Sequence, residues 1–425
     1  MARSICLIVA FGAFTVVLAE PPAKDSPEKR VSQSEVSQVP VVLDGDKPRQ
    51  GPRIELHSNG TPKVRANYRN GLLNGPYLEY AANGRNSVKA QYTDGRLHGE
   101  FTQWTEKGEM VRAARYSNGK LHGTEQKYVN GKLDGEWSWW DGELIGPSAS
   151  SIKARLASIA KADVKGPGSE GHKNGVRRLM MYRFLCGVPY EDLELDEKMN
   201  AEAEAASIAC EKLRTLTHRI TENPGLPADV FEMAKRGAGN SNLAVRQKEF
   251  AAAVDGYMED SDRFNISHVG HRRWCLNPSM LKVGFGKSGE FSAMWTRDKS
   301  RTGDFQSPMI AHPPRGPIPR DMFAKEYAWS ITPNPQRFAT IVKSKVNILI
   351  WRIAPTAKID PQAFSDKNAL PLDFFILNAD FGGPCLIFRP TGVTLDAGTK
   401  YRVEVRGLTT KDGKSETLKY WVEFY

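Results

Sequence analysis

From His57 onward, Tyr, Trp and Leu alternate with polar residues and are interrupted at regular intervals by Asn-Gly or Asp-Gly. The unit Tyr-x-Asn/Asp-Gly-x-Leu-x-Gly occurs at 68–75, 92–99, 116–123 and 128–135, with starts 24, 24 and 12 residues apart. Asn-Gly and Asp-Gly accept the positive backbone angles of tight turns, and the flanking aromatic and Leu positions suit half-buried strands, so each unit is predicted to be a β-hairpin. No single hairpin buries a core, which predicts a stack of hairpins with atypical ends. The last copy runs into Trp137-Ser138-Trp139-Trp140.

The period then changes. Met199, Ala203, Ala206, Cys210 and Leu213 recur at helical spacing, predicting a helix over 196–216 that delivers His218 to its C-terminal end. A helix over about 176–186 should stop at Gly187, with Pro189 beyond it. Phe250, Val254, Tyr257 and Met258 mark the apolar face of a third. Strands begin with Val283-Gly284-Phe285, and after the Pro-rich run at 313–319 the segments 342–353, 372–377, 385–389, 401–406 and 418–424 alternate or run apolar between turn signals. That spacing predicts a small antiparallel β-sandwich from about Tyr327 onward.

The ends and joints complete the division. Arg3, the apolar stretch from Ile5 to Leu18 and Val17-Leu18-Ala19 read as a secretory signal over 1–19, cleaved before Glu20. The apolar run is short for a membrane span of about 20 residues, and no later segment is apolar enough to cross. Residues 20–53, rich in Pro, Ser, Lys, Glu and Gln, read as a disordered linker. The expected division is then repeats at 54–142, a linker at 143–170, a mixed domain at 171–301, a connector at 302–326 and the sandwich at 327–425.

Among 425 residues, 59 Lys and Arg against 49 Asp and Glu give a formal charge of +10, which becomes +9 when Arg3 leaves with the signal. The positive charge is spread along the chain and forms no basic block with interleaved aromatics, so nucleic-acid binding is not expected. It suits ordinary solvated charge, or loose association of an exported protein with acidic polymers or membrane surfaces. Of five cysteines, Cys6 lies in the signal; Cys186, Cys210, Cys275 and Cys385 allow three disulfide pairings or buried inert thiols.

Candidate chemistry concentrates in His268-Val269-Gly270-His271-Arg272-Arg273-Trp274-Cys275-Leu276-Asn277-Pro278. An imidazole there can act as base, proton donor or ligand. Before it, in order, stand 181–189 with Tyr182-Arg183-Phe184-Leu185, the helix leading to His218, Asn242-Leu243, and Ala253 to Met258. Over roughly 171–297 these segments together resemble the CAP superfamily (cysteine-rich secretory, antigen 5, pathogenesis-related 1) in its bacterial secreted form. The Tyr-x-Asn/Asp-Gly units resemble MORN repeats of the bacterial variant type, and the C-terminal strands are similar to immunoglobulin-like modules appended to bacterial CAP proteins.

The resemblance implies a multidomain α+β fold: an N-terminal β-hairpin repeat array, a central CAP-like α/β/α sandwich and a C-terminal antiparallel β-sandwich. It also implies a cleft with two histidines and two acidic residues able to hold a divalent metal such as zinc. Carried over, the histidines are His218 and His271. One acidic position is filled by Ser241, and the other falls on Asp260 or Glu259. Two histidines and one carboxylate would make an open three-ligand site, with His268 as a weaker extra candidate.

The functional expectation is a secreted or periplasmic binding or scaffolding protein of the cell envelope. Its cleft would take a small apolar, lipid or peptide ligand, while the repeats contact envelope lipid, glycan or protein. An alternative is a hydrolase acting on peptide or cell-wall material, with His271 as base, Asp260 or Glu259 as its partner and Ser241 or a metal supplying the rest. A purely structural envelope role is the third. The chain contains no Gly-x-Ser-x-Gly elbow, His-Glu-x-x-His helix or phosphate loop.

Overall fold

The computed structural model describes residues 41–355, 363–381 and 383–425. The signal expected at 1–19 and the linker up to residue 40 lie outside the described residues. After a two-stranded ribbon, Leu43–Asp44 with Lys47–Pro48, nine strands follow one another in a single antiparallel sheet that runs from Gly51–Leu56 to Glu143–Pro147.

The turn chemistry explains this sheet locally. Asn70 and Gly71 have φ of 52° and 76°, Asp94 and Gly95 49° and 77°, and the same left-handed pair recurs at Asn118-Gly119, Asn130-Gly131 and Asp141-Gly142. The second glycine of each of the first three units, Gly75, Gly99 and Gly123, has φ between 102° and 109° and sits across from a register shift. A second set of turns, at Asn83-Gly84 and Lys107-Gly108, joins one unit to the next, and a like turn at Asn59-Gly60 leads into the first. Consecutive hairpins therefore merge edge to edge into one continuous sheet and do not stack as separate pieces.

Six helices occur among the described residues: α1 (Ala149–Ile159), α2 (Glu170–Leu185), α3 (Glu197–Leu213), α4 (Ala228–Asn240), α5 (Phe250–Glu259) and α6 (Gly270–Cys275). Ser148 and Asp196 cap α1 and α3 through their side-chain oxygens. Between the helices lies a four-stranded mixed sheet, in the order Glu194–Leu195, Lys282–Ser288, Phe291–Trp295, Ser241–Val245. Gly284 and Gly286 let the α3 backbone press against this sheet, since a Cβ on Gly286 would stand 1.9 Å from the Glu204 nitrogen.

Two further four-stranded sheets follow. One runs Met309–His312, Trp329–Pro333, Cys385–Pro390, Leu372–Asn378; the other runs Gly316–Ile318, Ser415–Phe424, Lys400–Thr409, Asn347–Ile353. Gly316–Ile318 pairs in parallel with the Ser415–Phe424 strand, so the C-terminal region is not purely antiparallel.

These observations correct the expected fold class. Strands make up 40% of the structure and helices 22%, with a nine-stranded antiparallel sheet as its largest element, so the protein is mostly β and not built on a CAP-like α/β/α sandwich. The physical reason is the core. α3 and α4 close only a small cluster with the central sheet, with Ala206, Ala234, Leu243 and Ala293 in it, whereas the larger cluster runs from Ile152 and Leu179 through Val254 and Phe285 to Trp329, Phe388 and Phe424. Burial is thus shared between the helices and the C-terminal sheets, a long-range arrangement that periodicity does not carry.

The repeat sheet is fastened to the same body. Trp140 and Ile145 pack with Ile353 and Trp421. Glu143 accepts two hydrogen bonds from Arg402, at 2.9 and 2.8 Å, and one from Trp421 Nε1 at 2.9 Å. A bidentate guanidinium–carboxylate pair with an indole donor fixes orientation as well as contact.

Candidate functional site

His271 lies in α6, and everything around this short helix is pinned by buried polar groups. From α2, the fully buried Arg183 donates to the carbonyls of Pro189, Cys275 and Asn277 at 2.8 to 2.9 Å, and so holds the end of α6 and the loop beyond it. Arg272, also fully buried, donates to the carbonyls of Met258 (2.8 Å), Ala328 (2.7 Å) and Glu259 (2.5 Å) and to Ser330 Oγ (3.1 Å). Asn242 Nδ2 donates to the His271 carbonyl at 2.9 Å, and Tyr257 Oη donates to the Asn242 carbonyl at 3.1 Å. Buried donors that reach several carbonyls each are costly to disturb, so the helix is held in one place.

The functional pair stands on that frame. Asp260 caps α5 in the left-handed region, with φ of 43°, and this turns its side chain inward. Its Oδ1 accepts from His271 Nδ1 at 2.9 Å and its Oδ2 from the Arg272 backbone N–H at 3.3 Å. The next residue back, Glu259, is exposed and contributes only its carbonyl. Of the two acidic candidates, Asp260 is the one joined to His271.

His218 arrives from the loop after α3. That helix stops at Leu213, where Arg214 takes a left-handed cap with φ of 53°, earlier than the expected end at 216. The His218 ring is exposed at one edge, and its Nδ1 lies 2.9 Å from the Ala238 carbonyl. Partial burial lowers its pKa below the usual 6.5, against the Ala238 hydrogen bond, and His271 and Arg297 push in the same direction as burial. The His218 and His271 rings are 6.4 Å apart between centroids and inclined by 37°, and Tyr257 lies 5.6 Å from His271 on its ring face.

A carbonyl oxygen can only accept, so His218 Nδ1 carries the proton and its neutral ring presents an unprotonated Nε2. In a neutral His271 ring, Asp260 imposes the same tautomer, because its carboxylate can only accept. Both Nδ1 atoms are therefore occupied by protein acceptors, and both Nε2 atoms are without a hydrogen-bond partner among the described residues.

No protein-family model matches this chain, and no curated protein matches it. The chemistry must therefore be read from the residues. Ser241 closes α4 with its Oγ buried and without a hydrogen-bond partner among the described residues, and no hydrogen bond joins it to His271. A Ser/His/acid relay is not assembled. His268 turns to the other side, where its ring stacks on Phe381 at 5.3 Å, with Nδ1 3.2 Å from Ser267 Oγ.

The donor set does not fit a resident zinc ion. Asp260 is spent on His271 and the Arg272 amide, Ser241 occupies the other acidic position, and among the described residues no group of three or more His, Cys, Asp or Glu is placed to hold a metal. Two imidazoles fall short of the three or four protein ligands of a tight zinc site.

Cys186, Cys210, Cys275 and Cys385 are all free thiols and all buried, so none of the three pairings is formed. Burial pushes the Cys186 thiol up to about 12 and raises the other three as well, which makes them inert packing groups. Sequence reasoning missed Arg183 and Asn242 as the supports of α6. Both lie within segments that carried the family resemblance, but nothing in their local pattern distinguishes a buried strut from a surface polar residue.

Proposed function

We propose that this chain is an exported binding protein of the cell envelope, in which His218 and His271 form the recognition element for an extended peptide. One observation carries the reading: two imidazoles engaged through Nδ1, with rings 6.4 Å apart and neither Nε2 hydrogen-bonded among the described residues. Same-side N–H groups of an extended peptide are two residues apart, or about 6.6 Å, which is comparable to that ring spacing. The lowered His218 pKa keeps this acceptor neutral at neutral pH, as recognition of N–H donors requires. A purely apolar or lipid ligand offers no donors to such a pair and would leave both nitrogens unpaired. The nine-stranded sheet, tied down at Glu143 and Trp140, serves as the extended arm that attaches or spaces the site. The resemblances to CAP proteins and MORN repeats and the signal read at 1–19 are consistent with export and an envelope role.

The test is retention of a degenerate tetrapeptide library on the immobilised full chain, read by mass spectrometry. The reading predicts retention by the native chain, loss with His218→Gln/His271→Gln, and no retention of a backbone N-methylated library. Equal retention by the native chain and the double variant would remove the histidines from recognition.

A second reading is favoured by the Asp260–His271 hydrogen bond itself: a carboxylate that orients an imidazole is the arrangement of a general base, and a water held at His271 Nε2 would be its nucleophile. Turnover of fluorescent casein, lost in His271→Gln, would establish it.

A further inference from the structure

A cavity that neither His218 nor His271 lines opens beside α6. It has a volume of about 380 Å³ and lies where α6 and the loop after it meet the sheet containing Met309–His312 and Trp329–Pro333. Its floor is one face of two paired strands, since His312 pairs with Ser330 and Ile310 with Thr332, and all four line it.

Its charge is one-sided. Arg272, Arg273 and Lys299 line it, and no Asp or Glu does. The arginines are held by neutral oxygens: Arg272 by three carbonyls and a hydroxyl, Arg273 by the Asn378 amide at 2.8 Å and the carbonyls of Asp380 and Gly383. The nearest acid to Arg272, Asp260, accepts from its backbone N–H and is committed to His271. Lys299 is exposed. Asp380 and Asp260 offset Arg273 and Arg272 in part, but no carboxylate lines the space, and three positive charges around it favour an anion there.

One polar group is left over. His312 is 1% exposed, and its Nε2 has no hydrogen-bond partner among the described residues. Burial first, and then Arg272, hold this imidazole well below its usual pKa, so it is neutral and adds a polar atom without charge. Buried unpaired nitrogens are uncommon and mark places where a further partner fits. The remaining walls carry Asn277 and Ser279 beside Leu276, Pro278 and two aromatic rings: Trp274, beneath the Arg297 guanidinium at 4.9 Å, and Phe381, beneath that of Arg273 at 5.7 Å.

We propose that this cavity binds a small organic carboxylate with an apolar or aromatic body, its head group among Arg273, Lys299 and His312 and its body against Trp274 and Phe381. The volume lies in the range of small-molecule sites. The site is distinct from the histidine pair and does not depend on the peptide reading. Lys299 supplies charge at the mouth, where its removal disturbs no buried contact.

The experiment is a ligand-observed NMR titration of the full chain with benzoate, benzamide and inorganic phosphate. Benzoate is expected to saturate one site, benzamide to bind at least about tenfold more weakly because the charge is lost, and Lys299→Glu to weaken benzoate about threefold or more without changing the melting temperature. Absence of saturable benzoate binding, equal binding of benzamide, or indifference to Lys299→Glu would overturn the proposal. Phosphate binding more tightly than benzoate would overturn the assignment of an apolar body.

Discussion

Asp260 Oδ1 lies 2.9 Å from His271 Nδ1, with 1% of the Asp260 side chain and 22% of the His271 side chain exposed. The second oxygen accepts from the Arg272 backbone N–H, so a single carboxylate orients the imidazole and anchors α6. Asp260→Ala removes both acceptors at once and leaves the buried Arg272 N–H without one. Urea denaturation of this variant should show a loss of about 1–3 kcal/mol, the cost of leaving a buried donor unpaired. An unchanged midpoint would show that the carboxylate does not support the helix.

Zinc should find no tight site. Titration calorimetry of the full chain is expected to show no stoichiometric uptake at micromolar zinc, because only two imidazoles are available and Asp260 is already engaged. A one-to-one site lost in His218→Ala/His271→Ala would overturn this reading of the donor set.

The approach of α3 to the central sheet rests on missing side chains. A Cβ on Gly286 would stand 1.9 Å from the Glu204 nitrogen and 2.3 Å from the Ala203 carbonyl carbon, both backbone atoms that cannot swing aside. Gly286→Ala should cost about 3 kcal/mol or more by overpacking, read as a lowered denaturation midpoint. Gly413→Ala meets nothing within 4 Å but carries φ of 83°, so its smaller cost would come from backbone strain alone.

Acid should loosen the fold in a defined window. Burial lowers the pKa of His312 well below 6.5, and lowers His218 in the same direction. The unfolded chain takes up these protons near 6.5, whereas the folded chain takes them up only at lower pH, so stability from this source is complete above about 6.5 and is lost as pH falls below it. His312→Phe should flatten the decline between pH 6.5 and 5 in thermal melts. A decline unchanged by that variant would assign it to other groups.

The turns were legible in the sequence because their chemistry is local: Asn70-Gly71 and Asp94-Gly95 adopt the positive angles that those residues permit. The turn at Asp141-Gly142 has the same geometry, but Trp139 stands where the repeating unit has Tyr, and so it escaped the motif. The merging of hairpins into one sheet depends on the turns between units, and the shared core depends on contacts such as Leu179 with the C-terminal strands' cluster, which are remote in the chain. At the site, His218 and His271, paired by what the CAP resemblance implies, stand side by side. The choice between Glu259 and Asp260 was not legible, because it is decided by the left-handed cap at Asp260, and the expected metal set failed for the same reason: the carboxylate is turned onto a ring nitrogen.

Peptide recognition by this pair requires both imidazoles to be fixed through Nδ1 and to offer Nε2 as acceptors. Long-range ¹H–¹⁵N spectra of the histidine-labelled full chain at pH 7.5, assigned with single His→Gln variants, read this out. A protonated Nδ1 and an unprotonated Nε2 are expected on both His218 and His271, with the Nε2 resonances moving when the retained peptides are added. A proton on Nε2 of either residue, or Nε2 resonances indifferent to those peptides, would contradict it.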